Sequence, residues 1–107
     1  MTAQKLPSND RQERLNTRCN LLMDVKLRRQ GGNWFNARLS NLSLTGFRVQ
    51  TFARLDLDST IWVMLPGFDG RRAKIIGTRD HEADCLFERP LHAAIFDHLL
   101  LMNRLRA

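Results

Sequence analysis

Apolar and polar residues alternate along several short segments of this chain, and turn-forming residues separate the segments. The first of them covers residues 18–29, where Leu21, Met23, Val25 and Leu27 fall on one face. A period of two is typical of a strand with one buried face. The same pattern recurs further along the chain and predicts six strands. They cover residues 18–29, 34–42, 47–51, 60–65, 71–79 and 84–87.

The apolar period changes near the C-terminus. Pro90 is suited to the first turn of a helix. Four apolar residues then recur at spacings of four, four and three, namely Leu91, Ile95, Leu99 and Met102. This stripe predicts a helix over residues 91–104 that packs on the sheet. Since the pattern has no parallel crossover unit, we predict an all-β fold, a six-stranded antiparallel β-barrel with a C-terminal α-helix.

The length of 107 residues suits one domain with one core, and 43% of the residues are hydrophobic. We expect residues 1–10 to form a flexible tail and residues 11–107 to form the barrel domain. No apolar run approaches the roughly 20 residues that span a bilayer. The N-terminal residues do not resemble a secretion signal, so we expect a cytoplasmic protein.

The net charge of +6 favours an anionic partner, because a basic surface attracts nucleotides, nucleic acids or acidic lipids. Arginine supplies most of this charge and occurs in clusters. The clusters are Arg11, Arg14 and Arg18, then Arg28-Arg29 and Arg71-Arg72. The planar guanidinium group suits phosphates and guanine edges better than the ammonium group of lysine does.

The sequence does not predict an enzyme. No pair of carboxylates and no Ser-His or Cys-His arrangement has a spacing that stands out. The cysteines and histidines do not complete a zinc pattern, so we expect no metal and no cofactor. Cys85 lies inside a predicted strand, and we interpret it as a packing residue.

Two short motifs occur in a fixed order around the first strands. R-x-x-x-R (Arg14, Arg18) precedes the first strand, and N-x-S-x-x-G (Asn41, Ser43, Gly46) joins the second to the third. In this order, with the later segments 63–67 and 85–92, the chain resembles the PilZ domain family. The resemblance covers roughly residues 11–104. It implies a six-stranded β-barrel with a C-terminal helix, which agrees with the strand pattern.

The resemblance also implies a ligand, the bacterial second messenger cyclic di-GMP. Arg14 and Arg18 would contact guanine edges and phosphates. Asn41 and Ser43 would add hydrogen bonds near a guanine edge, and Gly46 would allow a tight turn and close approach of the ligand. Arg11 is a further candidate for the site. Binding would order residues 11–18 against the barrel and signal to a protein partner.

Three positions depart from the family pattern. Many members carry an arginine where this chain has Glu13, directly before the R-x-x-x-R motif. Gly77 stands where a tryptophan is common in the fifth strand, and Asp84 stands where a glycine is common before the sixth. The latter two changes should affect strand packing or ligand stoichiometry more than the fold. These departures support an alternative function, a PilZ-like protein-interaction module with a degenerate nucleotide site.

A third hypothesis is a small basic barrel that binds single-stranded nucleic acid. Such barrels stack bases on exposed aromatic side chains. The chain has no tyrosine, and we expect its phenylalanines and tryptophans to be used mostly in the core. We therefore rank nucleic acid below the other two partners.

Overall fold

A computed structural model describes residues 18–106 of the chain. Six strands precede one helix over this range. The strands are β1 (Cys19–Arg29), β2 (Trp34–Leu42), β3 (Gly46–Gln50), β4 (Thr60–Met64), β5 (Arg71–Arg79) and β6 (Glu82–Phe87), and the helix is α1 (Ala93–Arg106). The strands form a closed antiparallel barrel. The predicted fold class is therefore confirmed.

The barrel is built from two three-stranded meanders. The strand order around the barrel is β1-β2-β3-β6-β5-β4, so consecutive strands are neighbours within each meander. The two meanders meet at two seams, where β1 pairs with β4 and β3 pairs with β6. Both seams join strands that lie far apart in the sequence.

The alternation seen in the sequence sorts side chains between the core and the surface. In β1, Met23, Val25 and Leu27 are buried, whereas Asp24 and Lys26 are exposed. The inward residues of all six strands form one apolar cluster that fills the barrel. Burial of this cluster is the main stabilising contribution to a domain of this size.

The helix differs from its prediction in both bounds, Ala93–Arg106 instead of residues 91–104, and in its inward face. It begins at Ala93, two residues after Leu91, and the Ala94 backbone N–H donates a 3.0 Å hydrogen bond to Nδ1 of the His92 ring. The inward face also shifts, because Phe96 is buried whereas Met102 is 42% exposed. The predicted place of Met102 in the packed stripe is therefore wrong. The last turns of α1 present apolar side chains to solvent.

The β5–β6 connection is tighter than the sequence suggested. β6 begins at Glu82, so two residues connect the strands, and the first of them, Asp80, adopts a positive φ of 51°. Aspartate tolerates this left-handed conformation better than most residues. Over the described residues, no helix is long and apolar enough to cross a bilayer.

The aromatic residues are less buried than predicted. Phe47 is fully buried, but Phe52 is 91% exposed and Trp34 is 37% exposed. Trp62 is half-buried on the outer side of β4. The expectation that the core uses most aromatic rings is therefore wrong for both tryptophans, because they lie at outward positions of their strands.

Candidate functional site

The turn between β2 and β3 is organised by the hydroxyl group of Ser43. This residue is 1% exposed. Its Oγ accepts hydrogen bonds from the backbone N–H groups of Gly46 at 3.0 Å and Thr45 at 3.3 Å, and it lies 3.2 Å from the Gly46 carbonyl oxygen. The Ser43 backbone N–H also donates to that carbonyl, at 2.8 Å. These bonds fix the loop, and they place the Ser43 hydroxyl behind the surface.

Gly46 is required by the neighbouring strand. It pairs with Leu86 across the β3–β6 seam, and a Cβ atom at this position would collide with the backbone carbonyl oxygen of Cys85. Gly46 does not have a positive φ, so the constraint is steric. Within the fold, the backbone of β6 approaches Gly46 closely.

A chain of three polar side chains lies in front of this turn. Arg18 Nη1 donates a 2.9 Å hydrogen bond to Oδ1 of Asn41. Asn41 Nδ2 in turn donates to Oδ1 of Asn20 at 2.8 Å. The Arg18–Asn41 hydrogen bond therefore connects the last residue of the R-x-x-x-R motif with the first residue of the N-x-S-x-x-G motif. The Asn41 amide, held from both sides, orients the Arg18 guanidinium group.

Two strand irregularities set the position of Asn41. The β1–β2 register shifts between Asn20 and Met23, and the β2–β3 register shifts between Leu39 and Asn41. Such bulges bend a strand and redirect side chains. Ser40 is the additional residue in β2 relative to β3. Asn41 therefore points outward, whereas Leu39 and Leu42 both remain in the core.

An open groove of about 640 Å³ adjoins the polar chain. Its lining includes Asn20, Leu22, Asp24 and Arg38 of the barrel and Asn103 of the helix. The volume lies within the roughly 300–1,000 Å³ that small-molecule sites occupy. Arg38 Nη2 is 3.5 Å from Asp24 Oδ1, and both side chains are more than half exposed. This ion pair is weak and leaves Arg38 accessible.

A second arginine close to the turn is already paired. Arg48 lies opposite Asn41 in the β2–β3 register. Its Nε donates to Oδ1 of Asp84 at 2.8 Å, and its Nη2 lies 3.5 Å from Oδ2. This hydrogen bond and the charge of Asp84 raise the pKa of Arg48. Arg48 is therefore paired with Asp84, whereas Arg18 has no ion pair within residues 18–106.

The predicted site residues fall into three groups. Arg18 and Asn41 are in direct contact at the surface, whereas Ser43 and Gly46 lie directly behind them in the turn. Arg11 and Arg14 lie outside the described residues. Asn20 was missed by the sequence reasoning. Its only signal was its place as the cross-strand partner of Asn41, which requires the strand register.

Comparison with known proteins gives a structural likeness and no sequence match. No protein-family model and no curated protein matches the chain significantly. Among solved structures, the chain is similar to the PilZ domain of CeSA from a cellulose-synthesizing bacterium. The TM-score is 0.58 at 15% sequence identity, over 82% of this chain and 95% of that chain.

The chain has a PilZ-like fold. The same architecture, a closed six-stranded antiparallel barrel with one C-terminal helix, was predicted from the sequence. An uncharacterized Legionella protein is more distant, with a TM-score of 0.49 and 13% identity over 84% of this chain and 94% of that chain. At these identities the likeness concerns the PilZ-like fold alone.

Proposed function

We propose that the protein is a receptor for cyclic di-GMP that binds the dinucleotide in the groove beside Asn20 and Asn41. The observation that carries this proposal is the Arg18–Asn41 contact, which joins the two motifs and is linked through Asn20 to a groove of suitable size. Arg18 uses one nitrogen in this bond. Its remaining N–H groups suit the O6 and N7 acceptors of guanine or the oxygens of a phosphate.

The residues of the site have two roles: some contact the ligand, and the others hold the contacting side chains and the turn in place. Arg18 and Asn41 contact the ligand, and Asn20 orients the Asn41 amide. Ser43 and Gly46 act indirectly, because the hydrogen bonds of Ser43 and the tight seam at Gly46 hold the turn rigid. A rigid site loses less conformational entropy on binding.

Ligand binding also supplies a signal. The phosphates attract the segment that carries Arg11 and Arg14, since arginine binds phosphate oxygens through two N–H groups. With the dinucleotide bound, residues 11–18 are held against the barrel. A protein partner then recognises the barrel together with this segment, which makes the protein an adaptor and not an enzyme.

Isothermal titration with cyclic di-GMP at ~150 mM salt tests the proposal, since this ionic strength screens non-specific attraction. GMP at the same concentration is the control. We expect saturable binding at micromolar concentrations or below, specific for the dinucleotide. Absence of heat at high micromolar concentrations, or equal binding of GMP, would contradict the receptor function.

A second candidate function is a protein-interaction module with a degenerate nucleotide site. The observation that favours it is Asp24, whose carboxylate lines the groove and repels phosphate. If the titration is silent, Asp24→Asn separates two causes. Binding gained by this variant identifies the carboxylate as the obstacle, whereas continued silence favours the interaction module.

A further inference from the structure

Four side chains of alternating type cross four neighbouring strands on the outside of the barrel. In the strand register, Trp34 of β2 faces Arg28 of β1, and Arg28 faces Trp62 of β4. Trp62 in turn faces Arg72 of β5. All four residues are exposed or half-buried, and none of them belongs to the core cluster. We refer to Trp34, Arg28, Trp62 and Arg72 as the Trp–Arg ladder.

The side chains of the ladder stack on one another. The guanidinium carbon of Arg28 is 5.3 Å from the ring centroid of Trp34 and 5.2 Å from that of Trp62. The guanidinium carbon of Arg72 is 5.4 Å from the ring centroid of Trp62. These distances are typical of cation–π contacts. Arg28 is therefore held between two indole rings, and its side chain is ordered before any partner binds.

The ladder retains hydrogen-bond donors for a ligand. Within residues 18–106, the ring contacts of Arg28 are accompanied by no hydrogen bond or ion pair. Arg72 Nη2 donates to Glu88 Oε1 at 3.1 Å, but both side chains are about half exposed, so the pair is weak. Lys26 and Lys74 lie two positions from the two arginines and are also exposed. The surface is basic and suits an anionic partner.

The stacking decides which anionic partner fits. Single-stranded nucleic acid needs free aromatic faces for its bases, and arginine side chains approach Trp62 from both neighbouring strands. A membrane-bound tryptophan buries its ring among lipids, but Trp62 is half-buried within the barrel surface. Carboxylates fit better, because a guanidinium group binds them through two parallel N–H groups.

The spacing of the arginines points to an extended peptide. Arg28 and Arg72 are two strands apart, which is about 9.6 Å. In a polyproline II helix, every third residue falls on the same face at intervals of about 9.3 Å. We propose that the Trp–Arg ladder docks an acidic, extended segment of a partner protein, with one carboxylate on Arg28 and another on Arg72. This surface is distinct from the nucleotide groove, because none of the four ladder residues lines that groove.

The chain contains a direct reporter of this surface. Its two tryptophans are Trp34 and Trp62, so the intrinsic tryptophan emission comes from the ladder alone. The probe is a synthetic peptide of four Glu-Pro-Pro repeats, titrated into the full chain without nucleotide at ~150 mM salt. We expect a saturable change in emission, and weaker binding of a peptide of equal composition with its four glutamates at one end.

Three charge-removing variants test the residues. Arg28→Gln and Arg72→Gln should each weaken binding of the repeat peptide at least about fivefold, because each removes a bidentate contact. Arg79→Gln removes the same charge from the far end of β5 and should change the affinity less than about twofold. Circular dichroism checks the fold of each variant. If Arg28→Gln fails to fold, Arg72→Gln at the outer end of the ladder decides the result.

Three results would overturn the proposal. The first is an equal loss of affinity in Arg72→Gln and Arg79→Gln, which would indicate general charge attraction. The second is equal binding of the two peptides. The third is tighter, Arg72-dependent binding of an oligothymidine or of phosphatidylserine vesicles, which would assign the ladder to nucleic acid or to lipid.

Discussion

Asp84 of β6 lies directly opposite Gly77 of β5 in the strand register. A Cβ atom on Gly77 would lie 3.7 Å from Oδ2 of Asp84, so the small residue leaves room for the carboxylate that binds Arg48. These are the two positions at which the sequence departs from the tryptophan and glycine common in the PilZ pattern. The structure places the two departures in one cross-strand pair, with room between them for at least a Cβ atom.

Exchanging the sizes of this pair tests that relationship. Gly77→Trp should lower the free energy of unfolding by about 1–3 kcal/mol, because the indole displaces Asp84. Adding Asp84→Gly should recover part of the loss, so the effects of the two substitutions should not be additive. Urea denaturation of the single and double variants measures the coupling, and additive effects would contradict it.

Gly46→Ala should be among the most damaging small substitutions. The new methyl group collides with the Cys85 carbonyl oxygen, and the β3–β6 seam must open to admit it. We expect a loss of about 3 kcal/mol in the free energy of unfolding. Gly77→Ala is the matched control, because its methyl group meets only ordinary contacts and should cause no loss. Equal stability of the two variants would refute the steric explanation.

Ser43→Ala should lower the free energy of unfolding, because Ser43 supports the turn between β2 and β3 and acts on ligand binding only indirectly. The substitution leaves the backbone N–H groups of Gly46 and Thr45 without the Ser43 oxygen, at a cost of about 1–3 kcal/mol. Ser40→Ala, at the half-buried bulge serine, should change stability by less than about 0.5 kcal/mol. Thermal unfolding of both variants distinguishes a role in the turn from a surface role, for which the two values would be similar.

Arg18→Ala should weaken cyclic di-GMP binding by about 2–5 kcal/mol, which is at least about a thirtyfold loss of affinity. The variant removes a charge-assisted contact and releases the Asn41 amide. Arg79→Ala removes an equal charge from a residue that does not line the groove and should bind as the wild type does. Calorimetric titration gives both affinities, and a loss below threefold in Arg18→Ala would remove Arg18 from the ligand site.

Alkaline pH should destabilise the fold through Cys85. Burial, and secondarily the charge of Asp84, raises the pKa of this thiol from 9.0 to about 12. Below pH 9 the thiol is protonated in both states. Between these values the unfolded chain loses the proton that the folded chain retains, so stability falls as pH rises, by up to about 1.4 kcal/mol per pH unit. Urea unfolding at pH 8 to 10.5 measures this slope.

The matched variants for this prediction are Cys85→Ala and Cys19→Ala. Cys85→Ala should have a flatter stability curve above pH 9, whereas Cys19→Ala removes a half-exposed thiol and should retain the wild-type slope. Parallel curves for Cys85→Ala and the wild type would show that another group controls the alkaline transition.

The strands were predictable because buried and exposed residues alternate along them, and this alternation is visible in the local sequence. From the order of the two motifs, the sequence placed Arg18 and Asn41 in one site, but it did not predict their direct contact. The role of Asn20 could not be predicted, because it depends on the β1–β2 register and its bulge. The ligand-binding role of Ser43 and Gly46 stays a prediction, and the structure gives both residues contacts within the fold that a linear pattern does not encode.

The outward aromatic rings show a different limit. A tryptophan in a strand looks like a core residue, and only the register reveals that Trp62 faces arginines on both neighbouring strands. Aromatic side chains are long enough to cover a barrel surface when cationic side chains lie beside them. Composition alone therefore overestimated how many rings the core would use.

The two seams between the meanders have a consequence for how the chain folds. Within each meander, strands pair across short connections, but each seam pairs residues more than 30 positions apart, such as Leu27 with Val63 and Phe47 with Cys85. Loop-closure entropy opposes such distant pairing, so we expect the seams to form last. At each seam, an arginine side chain of one strand contacts a side chain of the strand paired with it. Arg28 stacks on Trp62 at the first and Arg48 binds Asp84 at the second, so these side-chain links should govern how often the closed barrel opens.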